Sequence, residues 1–301
     1  MSERPGVRSS GRVSFLTTPT FDPDQYKAGQ RKGWSDAASG WRQWWQTIEV
    51  GLGPLSERLL ELAEVGPGDR VLDIATGIGE PAVTAARRVG PEGRVLATDI
   101  APGMLEIGRE RAAELGLDNV EFWEADAEAL ELPGKRFDAI LCRNGLQFLA
   151  DPSAALERIR AALVTDGRLA AAVWARSEQT PFVTLAVNTA TRELELPPPA
   201  PGTPGPLSLG DADDLEERLR AAGFADVRSE RMTVDVEFAS AAEYAQFMRA
   251  VSAPLNKLLA DNPVERQEEV WSTIARAAEA HAAADGSVSL PGELILAVGR
   301  R

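Results

Sequence analysis

Between residues 70 and 174, short apolar runs alternate with helical stretches, and this alternation restricts the possible folds more than any other feature of the chain. Arg70–Ala75 (RVLDIA), Arg94–Ile100 (RVLATDI), Val120–Asp126 (VEFWEAD), Phe137–Arg143 (FDAILCR) and Arg168–Trp174 (RLAAAVW) read as strands. Helical patterns lie over Glu80–Val89, from Pro102 to near Gly116, and over Pro152–Leu163. Proline in a first turn and glycine just past a last one are favoured helix termini. Strands alternating with helices of this length form parallel βαβ units with right-handed crossovers and helices on both sheet faces. Two later runs, Val227–Phe238 and Glu293–Arg301, read as further strands. The expected fold is therefore α/β: a Rossmann-like, seven-stranded, mostly parallel sheet.

The remaining length falls into accessory pieces. Residues 1–20 are polar and Arg- and Ser-rich, and are expected to be a disordered tail. Residues 21–65 read as a helical N-terminal cap, with four of the chain's seven tryptophans inside twelve residues. Trp34, Trp41 and Trp45 follow at i, i+7 and i+11, along one helix face. They either dock on a core or line an apolar pocket, and Tyr26 belongs to the same segment. Residues 66–301 then form the Rossmann-like domain, with a Pro-rich linker over 195–210 and a helical lid over 240–284 before the last strand. Asp211 and Gly223 suit the two ends of a helix between linker and lid.

Composition narrows the partners. The chain has 46 acidic and 32 basic side chains, a net charge of −14, so it is poorly suited to binding phosphates of nucleic acid. Cys142 and His281 are the sole residues of their kinds, which excludes an intrachain disulfide and a His/Cys zinc site. No metal-loop spacing, nucleophile elbow, apolar leader or run long enough to span a membrane is present. The expectation is a cytoplasmic protein acting on a small molecule, without a metal, its oligomeric state open.

The chemistry concentrates at the strand ends. After the first strand comes Ala75-Thr76-Gly77-Ile78-Gly79, a turn whose glycines let backbone approach a ligand. A helix follows and directs its free N–H groups there. Gly77, Gly79 and Ala82 satisfy the dinucleotide fingerprint, and Asp99 lies twenty residues past Gly79. By itself the motif leaves open a nicotinamide cofactor or another adenosine-bearing one. Three acids at consecutive strand ends, Asp73, Asp99 and Asp126, suit a cationic sulfonium ligand better than a pyrophosphate. Neither Tyr26 nor Tyr244 has a lysine four residues on, so the Tyr-Lys pair of short-chain dehydrogenases is missing.

With VLDIATGIGEPA (71–82), ATDIAPGML (97–105), EADAEALELP (124–133) and FDAILCRNGLQFLADP (137–152), the chain resembles the class I S-adenosylmethionine-dependent methyltransferases. It is most similar to the small-molecule branch that includes the ubiquinone/menaquinone-biosynthesis methyltransferases. The resemblance is strong over Gly68–Trp174 and elsewhere extends only to layout. It implies S-adenosyl-L-methionine as cofactor, with Asp73, Ala75, Thr76, Gly77 and Gly79 at the methionine end. It further implies Asp99 at the ribose with Ile100 and Met104 beside it, Asp126 and Ala127 at the adenine, and the Asn144 carbonyl at the ammonium. Where several relatives carry His or Arg after the fourth strand, this chain has Gln147, which can hydrogen-bond a substrate but take no proton. The catalytic base is thus unassigned; His281 reads as a surface residue. The expected activity is methyl transfer to a small, largely apolar acceptor. The alternatives are an NAD-dependent oxidoreductase and a non-catalytic S-adenosylmethionine-binding protein.

Overall fold

The structure, a computed structural model, describes residues 21–132, 134, 136–176, 178–197 and 202–301. The expected tail and residues 198–201 of the Pro-rich linker lie outside the described residues. Seven strands form one sheet: β1 (Arg70–Ile74), β2 (Arg94–Asp99), β3 (Val120–Glu124), β4 (Phe137–Arg143), β5 (Leu163–Trp174), β6 (Ala225–Phe238) and β7 (Val288–Arg300). Their order is β3-β2-β1-β4-β5-β7-β6. The first five are parallel to one another, and β7 runs antiparallel to both β5 and β6. The chain winds outward from β1 to β3 and then returns to lay β4 beside β1. That reversal opens a crevice at the carboxyl ends of β1 and β4, where ligands of such sheets bind.

β1 and β2 are buried at every position but the first. Helices cover both faces, which explains why these strands are continuous apolar runs rather than alternating ones. One face carries α2 (Ala82–Val89), α3 (Pro102–Glu114), α5 (Pro181–Glu193) and the lid helices α7 (Ala241–Val251), α8 (Ala253–Leu259) and α9 (Val264–Ala278). The other carries α4 (Pro152–Ala162) and α6 (Ala212–Ala221). Each fully buried leucine, such as Leu55, Leu72 or Leu156, contributes about 1.5–3 kcal/mol through burial.

The N-terminal segment is one helix, α1 (Pro23–Leu62), about 60 Å long at 1.5 Å per residue. Asp22 caps it, accepting from the Asp24 and Gln25 amides. Leu52, Leu55, Leu59 and Leu60 bury its second half against the sheet. Two glycines let it lie this close. A Cβ at Gly40 would stand 2.0 Å from the Ala250 carbonyl oxygen of α7, and one at Gly51 would stand 2.9 Å from Val236 of β6. Arg58 clamps the same end, pairing with both Glu230 oxygens at 2.7 and 2.8 Å.

Several elements differ from expectation. Helix α5 had no counterpart in the sequence reading, although Phe182, Ala186 and Ala190 recur at i, i+4 and i+8 and are all buried. The helix expected from Glu80 begins at Ala82, because Pro81 occupies the cap position. Strands β5 and β7 start earlier than read, at Leu163 and Val288. In β7 the extra length follows from pairing along the whole of β6, out to Phe238 opposite Val288.

Candidate active site

A cavity of about 240 Å³ opens at the carboxyl ends of β1, β2 and β4, beneath α1 and the lid. Its floor is the loop leaving β1. Gly77 and Gly79 take φ of 56° and 98°, a region glycine enters without steric cost. Ala75 and Asn144 also adopt positive φ, 56° and 57°, without that freedom. Left-handed backbone at non-glycine residues costs about 1–3 kcal/mol each and gathers at functional sites. Gly145 then fits where nothing larger would, since a Cβ there would lie 2.5 Å from the Ala75 methyl.

The Asp99 carboxylate ties this floor together. One oxygen accepts from the Gly77 amide and the other from the Ala101 amide, each at 2.8 Å. Thr76 N–H donates to the Thr98 carbonyl at 2.9 Å, securing the loop to β2. Burial pushes the Asp99 carboxyl up, against the pull of its amide donors. Asn144 Oδ1, of a residue on the cavity wall, is buried without a hydrogen-bond partner, whereas the Thr76 hydroxyl acts on the buried Asp73 carboxylate.

Of the residues singled out for the cofactor, Ala75, Thr76, Gly77, Asp99, Ile100, Met104, Asp126, Ala127 and Asn144 line this cavity. Gly79 sits behind the loop, beside Gly108 of α3. Asp73 does not reach the cavity surface. It is wholly buried, and one of its oxygens accepts from the Ala82 amide at 3.0 Å. Strand alternation explains this, because Asp73 shares the sheet face of Val71 and so meets the start of α2. Burial pushes its carboxyl up to about 7, with the Thr76 hydroxyl and the Arg143 guanidinium opposing.

The corner at β3 is closed by α1. Asp126 accepts from the Glu128 amide at 2.9 Å, and Lys27 lies 2.9 Å from Asp126 and 2.7 Å from Glu128. Tyr26 donates its hydroxyl to the Phe148 carbonyl at 2.9 Å, and Arg31 pairs with Glu124 at 2.7 Å. Burial, then the nearby Glu128 charge, push the Tyr26 phenol up to about 12, so it stays protonated at neutral pH. Sequence reading missed Lys27, although in so acidic a chain a lysine one residue from Tyr26 was a usable signal.

The rest of the cavity is apolar. Trp34 and Trp41 line it, their rings 6.2 Å apart, and the Trp41 indole donates to the Val251 carbonyl at the end of α7. Trp45 does not line it; it packs beneath the Arg111 guanidinium at 4.9 Å. Gln147 is wholly buried away from the cavity wall, its side-chain amide without a hydrogen-bond partner. Trp174, Phe182, Phe247 and Met248 complete the wall. They come from β5, α5 and α7, and no local pattern links them in the sequence. Tyr244 is buried, donating to the Phe182 carbonyl at 3.1 Å, and His281 is exposed beyond α9. Among the described residues, no helix is long and apolar enough to cross a membrane.

Comparison with known proteins agrees with this layout. Residues 71–167 match the family model described as "Methyltransferase domain". The ubiquinone/menaquinone biosynthesis C-methyltransferase UbiE of Teredinibacter turnerae is 43% identical over 111 residues, 36% of this chain and 45% of that protein. Aklanonic acid methyltransferase DauC of a Streptomyces species is 40% identical over 117 residues, 39% of this chain and 53% of that protein. The match thus spans about half the length of these curated relatives. The crystal structure of YcgJ from Bacillus subtilis shares the fold, with a TM-score of 0.55 at 21% identity, covering 82% of this chain and 97% of that one. Over residues 71–167 the chain matches a methyltransferase domain, and it resembles the small-molecule class I S-adenosylmethionine-dependent methyltransferases, UbiE among them.

Proposed function

We propose that the protein is an S-adenosylmethionine-dependent methyltransferase that moves a methyl group to a small, largely apolar acceptor. The observation carrying this reading is the meeting of Gly77, Asp99, Asp126 and Asn144 on one cavity wall, from the ends of three adjacent strands and the loop after β3. These residues fit the cofactor. The buried, unpartnered Asn144 side-chain oxygen offers a polar contact that a polar ligand would complete. When bound, S-adenosylmethionine supplies an electrophilic methyl group on a sulfonium. In this reading Asp99 holds the ribose hydroxyls, and Asp126 with the Ala127 amide reads the adenine. The 75–79 backbone and the Asn144 carbonyl hold the methionine end. Asp73 positions that loop from behind, through the Ala82 amide.

Residues 21–65 then serve as a cap on the 66–301 domain, which carries the Pro-rich linker over 195–210 and the lid over 240–284. Trp34, Trp41, Trp174 and Phe247 exclude water and orient the acceptor. Orientation and water exclusion supply much of the acceleration in an in-line displacement. The net charge of −14 and the largely apolar cavity support a small molecule rather than nucleic acid as partner. The test has two arms. S-adenosylhomocysteine should raise the melting temperature while NAD leaves it unchanged. Supplied with S-adenosylmethionine and a panel of aromatic acceptors, the protein should release S-adenosylhomocysteine. A response to NAD alone, or binding without turnover across the panel, would count against it.

A further inference from the structure

Arg143, the last residue of β4, lies on the cavity wall. Strand alternation places its side chain on the sheet face of Ala139 and Leu141, the face that α1 and the lid cover. There it donates to the Ser56 hydroxyl of α1 at 2.9 Å. Among the described residues, no carboxylate lies within 4.0 Å of its guanidinium. Arg111, the other guanidinium of this region, is fully engaged: it meets Glu80 at 3.2 Å, Glu49 at 3.5 Å and the Ile78 carbonyl at 2.8 Å. Asp73 and Glu49 feel the charge of Arg143, but neither touches it, and Asp73 is sealed beneath the loop.

A half-buried cation on the wall of a cavity that Trp174, Phe182 and Phe247 also line is costly unless an anion completes it. Arginine offers five donors in a planar fork, and one is taken by Ser56. That fork matches an oxyanion, above all a carboxylate held by two parallel hydrogen bonds. We propose that Arg143 binds an oxyanion, a carboxylate or ionised phenol, carried by the methyl acceptor. This rests on the methyltransferase reading and narrows its substrate class to apolar, aromatic molecules bearing an acidic group. The direction of the side chain favours the acceptor over the cofactor's own carboxylate. It reaches toward Ser56, near the far end of α1 from the Lys27 corner.

The experiment uses full-length protein saturated with S-adenosylhomocysteine, titrated calorimetrically with 1-naphthoate and with 1-naphthamide. The wild type should bind the acid at least tenfold more tightly than the amide. Arg143→Met should abolish that preference, and Arg143→Lys, which keeps the charge but not the fork, should retain part of it. The lysine variant carries the test if the methionine variant does not fold. Affinity for S-adenosylhomocysteine, measured separately, should move by less than twofold. Equal binding of acid and amide by the wild type, or a preference that survives in Arg143→Met, would overturn the proposal. So would a tenfold loss of S-adenosylhomocysteine affinity with acid preference intact, which would assign the anion to the cofactor. Failure of the wild type to bind S-adenosylhomocysteine at all would instead sink the methyltransferase reading, and this proposal with it.

Discussion

Lys27 Nζ lies 2.9 Å from Asp126 Oδ2, joining the first turns of α1 to the loop after β3, 99 residues away in sequence. The carboxylate assigned to the adenine is thus also a hold for the cap. In the proposed reading, this pair and Glu128, 2.7 Å from the same lysine, would couple cofactor entry to cap opening. Partly exposed ion pairs of this kind contribute roughly 0.2–1 kcal/mol. Lys27→Met should therefore speed release of S-adenosylhomocysteine about two- to fivefold, and the wild-type rate should rise with salt. Stopped-flow tryptophan fluorescence would show this. A rate unchanged by both the substitution and salt would mean that the cap is held elsewhere.

Asp99 braces the loop and lines the cavity, so its removal acts twice. Asp99→Ala should weaken S-adenosylhomocysteine binding at least tenfold, about 1.4 kcal/mol. Gly77→Val should do the same by forcing a branched side chain into a φ of 56°. Calorimetry on both variants is the check, and wild-type affinity in both would remove the cofactor assignment.

Asp73 has a consequence for stability against pH. Its carboxyl titrates near 3.8 in the unfolded chain and, because of burial, near about 7 in the folded one. Between those values the folded state holds a proton that the unfolded state has lost. The group therefore stabilises the fold below about pH 4, and this contribution is lost as pH rises toward about 7. Asp73→Asn does not titrate. Its stability relative to wild type should rise from pH 4 to pH 7, measured by urea unfolding at each pH. Parallel curves for the two proteins would contradict this.

Gly40 marks a close approach of cap and lid, 2.0 Å from the Ala250 carbonyl for any added Cβ. Gly40→Ala must push α1 and α7 apart, at a cost of about 1–3 kcal/mol typical of overpacking. The denaturation midpoint should fall accordingly. Gly53→Ala, on the same helix and with no neighbour closer than 3.8 Å, is the control and should be neutral or stabilising.

How much of this was legible beforehand differs between the two halves of the site. The cofactor half comes from segments that each carry their own signature: a glycine turn after a strand, an aspartate at the next strand end, another beyond the third. Nine of the eleven residues singled out there line the cavity. Asp73 lies behind the loop rather than on the cavity surface, because its sequence position near a strand end does not say which face of the sheet it joins. Trp34 and Trp41 line the cavity while Trp45, on the same helical stripe, turns to Arg111. Helical periodicity defines a face of α1 but not what that face meets along 40 residues. Gln147 fell inside the protein for a related reason: the short turn Leu146–Phe148 points Phe148 at the cavity and Gln147 away from it.

By itself the sequence determined the layered α/β architecture and the chemistry of the loop after the first strand. These follow from short-range rules of periodicity, turn residues and strand-end carboxylates. Tertiary structure decided how the apolar part of the cavity is assembled. Trp41, Arg143, Trp174, Phe182 and Phe247 stand on five different elements, and α1, β4, β5, α5 and α7 bring them to one cavity only once the helices have packed. The same packing sets Lys27 on Asp126 and leaves Arg143 with a hydroxyl for a partner in place of a carboxylate. Contacts between residues distant in sequence are fixed by the volumes and faces of whole elements, and those are properties of the folded chain.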